Sequence, residues 1–158
     1  MGEIDMALNG LGKYAFKPDQ IIYASCLKMD SHVKFADECG IGLTVADSEE
    51  ELKKLARLGS KMAVLIRINV DDKNAPMCGF SKKFGAKTTD APQLLELAKN
   101  LGTQVKGVCF HVGSPCGNAQ DYVDAIRDAR YVFDAAKSLK MPDLKILDLG
   151  GGFPGSDE

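Results

Sequence analysis

Residues 145–155 read Lys145-Ile146-Leu147-Asp148-Leu149-Gly150-Gly151-Gly152-Phe153-Pro154-Gly155. An apolar run interrupted by one carboxylate predicts a buried strand, and it runs directly into three glycines. Glycine lacks Cβ, so it tolerates φ > 0 and lets a backbone approach a ligand closely. Successive peptide N–H groups in such a turn converge on an anion, most often a phosphate. The plainer reading of a single glycine here is a tight turn after a strand. Three in a row favour an anion cradle.

Working outward from that loop, the chain alternates short apolar runs with helical periodicity. Residues 1–11 have helix-like spacing and end at Gly12. Strands are expected at 21–24, 43–46, within 62–70, at 105–112 and before the glycine loop. Between them lie helices. One is capped by Asp30 or Ser31 and carries Val33, Phe35 and Ala36. Another opens with a Ser48/Glu51 capping box and carries Leu52, Leu55 and Ala56. A third is capped by Asp90 and carries Leu94, Leu95, Ala98 and Leu101. A long one carries Tyr122, Ala125, Ile126, Ala129, Val132, Phe133 and Ala136 at 3.6-residue spacing. Residues 71–87 read as a loop broken by Pro76, Gly79 and Gly85. Five near-continuously apolar strands alternating with helices predict an α/β domain with a parallel sheet buried on both faces. In such folds ligands gather at the carboxyl ends of the strands.

The 158 residues suffice for one domain, and 45% hydrophobic with 27% charged residues is the composition of a soluble globular chain. A formal charge of −2 with mixed signs offers no basic footprint for nucleic acid or for a membrane surface. No apolar run approaches the roughly 18 residues that span a bilayer, and the N-terminus lacks a signal-peptide pattern. Five cysteines (Cys26, Cys39, Cys78, Cys109, Cys116) without a Cys-x-x-Cys pair read as reduced thiols in the cytoplasm, not as a disulfide framework or zinc site.

Several polar residues fall where a ligand is expected. His111 ends the fourth strand before a Gly-Ser turn, where an imidazole can stack on a planar ligand or hydrogen-bond to it. His32 lies on a helix face and reads as solvated. Ser114 either meets an anion or caps its own turn. Arg67 stands inside an apolar run, so its guanidinium requires a buried partner or a ligand. Asp148 is a candidate partner, or a helix-capping acceptor. Cys116 and His111 lack a third group to orient a nucleophilic pair, and Lys82-Lys83-Phe84-Gly85 reads as a solvated turn. The run Asp148-Leu149-Gly150-Gly151-Gly152 also resembles the first glycine loop of methyltransferases that bind S-adenosylmethionine. That loop, like a dinucleotide-binding one, follows a first strand; here the loop follows the last, which counts against both.

Read together, these pieces resemble the pyridoxal-phosphate-dependent group of ornithine, diaminopimelate and arginine decarboxylases, most closely the eukaryotic ornithine decarboxylases. The motifs are Ile21-Ile22-Tyr23-Ala24, Asp47-Ser48-Glu49, Leu65-Ile66-Arg67-Ile68 with Asp71-Asp72, Lys83-Phe84-Gly85-Ala86, Phe110-His111-Val112-Gly113-Ser114 and residues 147–155. They run in family order over nearly the whole chain. The resemblance implies an eight-stranded α/β barrel of the alanine-racemase type followed by a β domain. It implies that His111 stacks on the pyridine ring of pyridoxal 5'-phosphate and that Ser114, Gly150, Gly151 and Gly152 cradle the phosphate. Arg67 then lies at the cofactor's edge, Glu3 is an acidic residue near it, and Lys83 belongs to a loop near the subunit interface.

The resemblance places residues 1–158 on barrel strands three to seven, an incomplete cofactor-binding domain without the β domain. No lysine here matches the one that bonds the cofactor. The acid that pairs with the pyridine nitrogen, and the cysteine and aspartate from the partner subunit, also have no counterpart. The expectation is a protein of putrescine (polyamine) synthesis whose family acts on L-ornithine or a similar basic amino acid as a homodimer. This chain alone is expected to be inactive, its open sheet edges and apolar surfaces uncovered. The alternative is a non-catalytic binder resembling antizyme inhibitors. Residues 28–53 match the family's antizyme-binding region, with Lys28, Lys34 and Lys53 retained but with Asp37 and Glu38 adding acidic charge.

Overall fold

The computed structural model describes residues 1–10, 12–70 and 84–155. Most of the expected 71–87 loop, with Asp71, Asp72, Pro76, Cys78, Gly79 and Lys83, lies outside them, as does Leu11. Five strands form one sheet: β1 (Ile22–Tyr23), β2 (Leu43–Ala46), β3 (Ala63–Arg67), β4 (Val105–Cys109) and β5 (Ile146–Asp148). All neighbours are parallel and the spatial order is the chain order, β1-β2-β3-β4-β5. An order that never reverses lays every connecting helix on the same face and curls the sheet into half of a barrel, whereas a doubly wound sheet reverses.

Side-chain packing shows the two faces. On the outer face Ala46, Val64, Ile66 and Val108 join helix residues such as Val33, Leu52, Leu55, Leu95 and Ala129 in the main core. On the inner face Val45, Leu65 and Cys109 form a separate small cluster with Cys26. Alternation along each strand produces this division. Each fully buried leucine of the main core contributes about 2 kcal/mol.

The helices are α1 (Gly2–Asp5), α2 (Asp30–Glu38), α3 (Glu49–Arg57), α4 (Ala91–Asn100) and α5 (Ala119–Ser138). The first expected helix is shorter than its spacing suggests: α1 is one turn and passes into a π turn, Met6–Gly10. Neither Asp30 nor Ser31 caps α2; Met29 takes that place, and Asp30 instead pairs with Arg57 at 2.8 Å. Asp90 precedes α4 without a capping bond. Ser48 does cap α3, accepting from Glu51 N–H at 3.4 Å. Glu51, however, does not complete the box. Its carboxylate turns inward, with Oε1 2.9 Å from Lys28 Nζ and Oε2 2.7 Å from Lys54 Nζ.

Gly107 sets how β4 and β5 meet, since a Cβ there would stand 1.9 Å from the Ile146 carbonyl oxygen. At the free edge of β5, Leu147 is 40% exposed beside Ile126 of α5, which is 41% exposed where its spacing predicted burial. The apolar stripe of α5 is thus wider than the described sheet covers.

Candidate active site

At the carboxyl end of the half-barrel, sheet register puts Arg67, Cys109 and Asp148 on one level of the inner face. One level higher are His111 and Gly150. Together with Ala24, Val45 and Phe110 these residues line a cavity of about 180 Å³. Sequence spacing alone placed them at one edge; parallel pairing makes them neighbours.

His111 is held by its own turn. Gly113 N–H donates to His111 Nδ1 at 2.9 Å, so the neutral ring carries its proton on Nε2. Burial, and then the nearby Arg67 charge, hold its pKa below the ordinary histidine value against the opposing pull of Asp148. A neutral, fixed imidazole is suited to lie against a flat ligand and to donate one hydrogen bond.

The glycine loop packs directly on that histidine. Gly150 has φ 67° and Gly152 φ 92°. A Cβ on Gly150 would stand 2.4 Å from the Phe110 carbonyl oxygen, and one on Gly152 would stand 2.0 Å from that of Gly113. Only glycine fits at either place. Asp148 Oδ1 accepts Gly150 N–H at 2.8 Å, so this carboxylate closes the turn and is neither an ion-pair partner of Arg67 nor a helix cap. Cys116 N–H donates to the Gly152 carbonyl at 2.9 Å. Among the described residues, the N–H groups of Gly151 and Gly152 meet no acceptor. Ser114 is exposed, and its hydroxyl caps nothing among the described residues.

Arg67 is half-buried. Its Nη1 donates to Cys26 Sγ at 3.5 Å and its guanidinium carbon lies 5.2 Å from the centre of the Phe84 ring. Among the described residues it forms no ion pair with a carboxylate, so the expected buried partner is a thiol and an aromatic face. Sequence reading missed Cys26 here because it is 41 residues away. Burial, with Asp47 next, raises the Cys26 pKa to about 11 against the lowering effect of Arg67, so it is a thiol donor–acceptor and not a thiolate.

Glu3 is exposed and lines a different cavity of about 470 Å³ with Tyr23, Ser25 and His32; Ala24 borders both. His32 is not simply solvated, since its Nδ1 lies 3.4 Å from the Tyr23 hydroxyl. Cys116 Sγ is turned to the Asn118 carbonyl (3.3 Å) and Asp121 (3.7 Å), with no contact to His111, so no Cys/His pair forms. Of the lysines matched to antizyme binding, Lys34 and Lys53 are exposed, but Lys28 is 2% exposed and locked to Glu51. Among the described residues no cluster of metal-ligating side chains occurs, and no helix is long and apolar enough to cross a membrane.

Residues 1–158 match the family described as pyridoxal-dependent decarboxylase, pyridoxal binding domain. The chain belongs to that family. It is 43% identical over 151 residues to ornithine decarboxylase of Mus pahari, covering 96% of this chain and 32% of that enzyme. It is 41% identical over 141 residues to antizyme inhibitor 2 of Xenopus laevis, covering 89% of this chain and 30% of that protein. The crystal structure of the Paramecium bursaria Chlorella virus arginine decarboxylase superposes with a TM-score of 0.88 at 33% identity, over 94% of this chain and 40% of that one. The chain thus spans about a third of the length of the curated relatives it matches. A pyridoxal-dependent decarboxylase domain accounts for the consecutive parallel strands as one arc of a (β/α)8 barrel.

Proposed function

We propose that the 150–152 loop with Ser114 binds the phosphate of pyridoxal 5'-phosphate, with His111 against the pyridine ring and Arg67 at its edge. The observation that carries this reading is the loop itself. Two of its peptide N–H groups meet no acceptor among the described residues, Gly150 and Gly152 pack too closely on the Phe110 and Gly113 carbonyls to carry a Cβ, and a neutral histidine packs beside them. That arrangement fits a phosphate, which takes up to three or more N–H or O–H donors. When bound, the cofactor supplies an electron sink for the charge left as CO2 departs. The protein's own contribution is to hold the phosphate, to keep the Nε2 proton of His111 in place and to set Arg67 beside the ring. Glu3, across Ala24, belongs to the proposed surroundings of the cofactor but not to the His111 cavity.

The same reading makes a protein that carries this domain an ornithine-decarboxylase-like enzyme of putrescine synthesis. It is proposed to be cytoplasmic, to act on L-ornithine or a similar basic amino acid and to assemble as a homodimer. The 158-residue chain alone is proposed to bind without decarboxylating, since no lysine is among the described residues lining the Arg67–His111 cavity. Titration with pyridoxal 5'-phosphate and with unphosphorylated pyridoxal, followed by absorbance, tests the site. Clear preference for the phosphate ester, lost in Gly152→Ala, supports it; equal binding of the two overturns it. CO2 release from ornithine by the purified chain would overturn the inactivity.

A non-catalytic, antizyme-inhibitor-like role is the second reading. The exposure of Lys34 and Lys53 favours it, whereas Lys28 is unavailable for any contact. An antizyme titration in which Lys34→Glu weakens binding and Lys28→Arg does not would support it.

A further inference from the structure

The first turn of α5 touches the glycine loop through one side chain that the family motifs do not include. The Tyr122 hydroxyl donates to the Gly151 carbonyl at 3.1 Å, and its ring stacks on Phe153 with centres 4.6 Å apart and planes 14° from parallel. A Cβ on Gly152 would stand 3.4 Å from the same hydroxyl. Tyr122 is therefore bonded to the residue before Gly152 and stacked on the residue after it.

This contact has a directional consequence. In a planar trans peptide the carbonyl of one residue and the N–H of the next point in opposite directions. Fixing the Gly151 carbonyl toward α5 fixes the Gly152 N–H away from it. The Cys116 N–H bond to the Gly152 carbonyl fixes the following peptide in the same manner. Three glycines in succession have little conformational preference of their own, so without such ties the two peptides are free to flip.

We infer that Tyr122 is a positioning residue for anion binding: its hydroxyl sets the Gly151–Gly152 peptide so that the Gly152 N–H is presented to the phosphate before any ligand arrives. Its ring, stacked on Phe153, holds the hydroxyl at that distance. A donor already aimed loses less freedom on binding, so the hydroxyl acts on affinity without touching the ligand. The inference rests on the phosphate-cradle reading above.

The test uses the whole 15N-labelled chain and its Tyr122→Phe variant, which keeps the ring and the stack but lacks the hydroxyl. In the unaltered chain without ligand, the Gly151 and Gly152 amides are expected to be as ordered on the ps–ns scale as the strands. In Tyr122→Phe they are expected to become mobile while the remaining amide spectrum is unchanged. Pyridoxal 5'-phosphate is expected to bind Tyr122→Phe about fivefold more weakly, the effect of one lost neutral hydrogen bond, with pyridoxal binding unchanged. A purely structural role would weaken both ligands alike and shift amides across α5, and would overturn the inference. Phe153→Ala retains the hydroxyl; equal loss of loop order there would assign the effect to stacking and also overturn it. If the two glycine amides of the unaltered chain do not respond to pyridoxal 5'-phosphate, the cradle reading fails and takes the role of Tyr122 with it. If they respond identically in Tyr122→Phe, only the role of Tyr122 fails.

Discussion

Replacing Lys28 by Met should be among the most damaging changes outside the site. Lys28 Nζ donates to the carbonyls of Ser25 (2.8 Å) and Val45 (2.7 Å) and stands 2.9 Å from Glu51 Oε1, with both charged side chains fully buried. Burial lowers the Lys28 pKa against the raising effect of Glu51, so desolvation is the larger influence on this ammonium. Glu51 is held through ion-pair contacts and not through well-aligned hydrogen bonds, which makes it depend on both lysines for charge compensation. Removing one partner of a buried pair costs about 3–5 kcal/mol because the other charge is stranded. Lys54, 2.7 Å from Glu51 Oε2, remains and compensates in part, which puts the expected cost at the lower end, about 3 kcal/mol. For a domain of this size that is a Tm drop of roughly 6–12 °C. Urea unfolding of Lys28→Met, Glu51→Leu and the double variant measures it. The double variant should recover most of the loss, since an apolar pair of similar volume replaces the stranded charge, while Lys54 can reach solvent. A loss below about 1 kcal/mol for Lys28→Met, or a double variant as costly as the sum of the singles, would refute the reasoning.

Three further outcomes are expected. Gly107→Ala should cost about 3 kcal/mol in urea unfolding, because the new Cβ meets the Ile146 carbonyl and pushes β5 with its glycine loop off β4. His111, whose pKa is lowered by burial, should titrate by NMR with a midpoint under the ordinary 6.5. In the window between that midpoint and 6.5 the unfolded chain binds more protons than the folded one, so stability should rise with pH there; His111→Gln should flatten that slope. Brief alkylation of the folded chain at pH 8 should label Cys39 and spare Cys26, whose pKa is pushed up to about 11, and Cys109, raised further by burial and by Asp148. Rapid labelling of Cys26 would contradict its burial beside Arg67.

The strands and the glycine loop were legible because their signals are local. Apolar runs ending at Gly113 or Gly150 need no distant partner to be read, and the consecutive alternation of strand and helix limits the topologies available. Strand ends were overestimated, as at β4, where residues 110–112 leave the sheet to form the His111 turn. What sequence could not supply were pairings fixed by tertiary contact. Glu51 satisfied the spacing of a capping box, yet Lys28, 23 residues earlier, drew its carboxylate inward. Tyr122 fitted the apolar stripe of α5, and nothing in a 3.6-residue period distinguishes a core tyrosine from one whose hydroxyl reaches a loop 29 residues on. By sequence Asp148 is a candidate partner for Arg67 or a helix-capping acceptor; its short side chain instead reaches the nearest free N–H, that of Gly150. Local competition of this kind is typical of aspartate beside a turn.

A crystal structure of the chain grown with pyridoxal 5'-phosphate tests most directly whether the 150–152 loop is a phosphate cradle. The phosphate is expected within hydrogen-bond reach of the Gly151 and Gly152 N–H groups and the Ser114 hydroxyl, with the pyridine ring over His111. A phosphate bound elsewhere, with the glycine amides still unengaged, would contradict it.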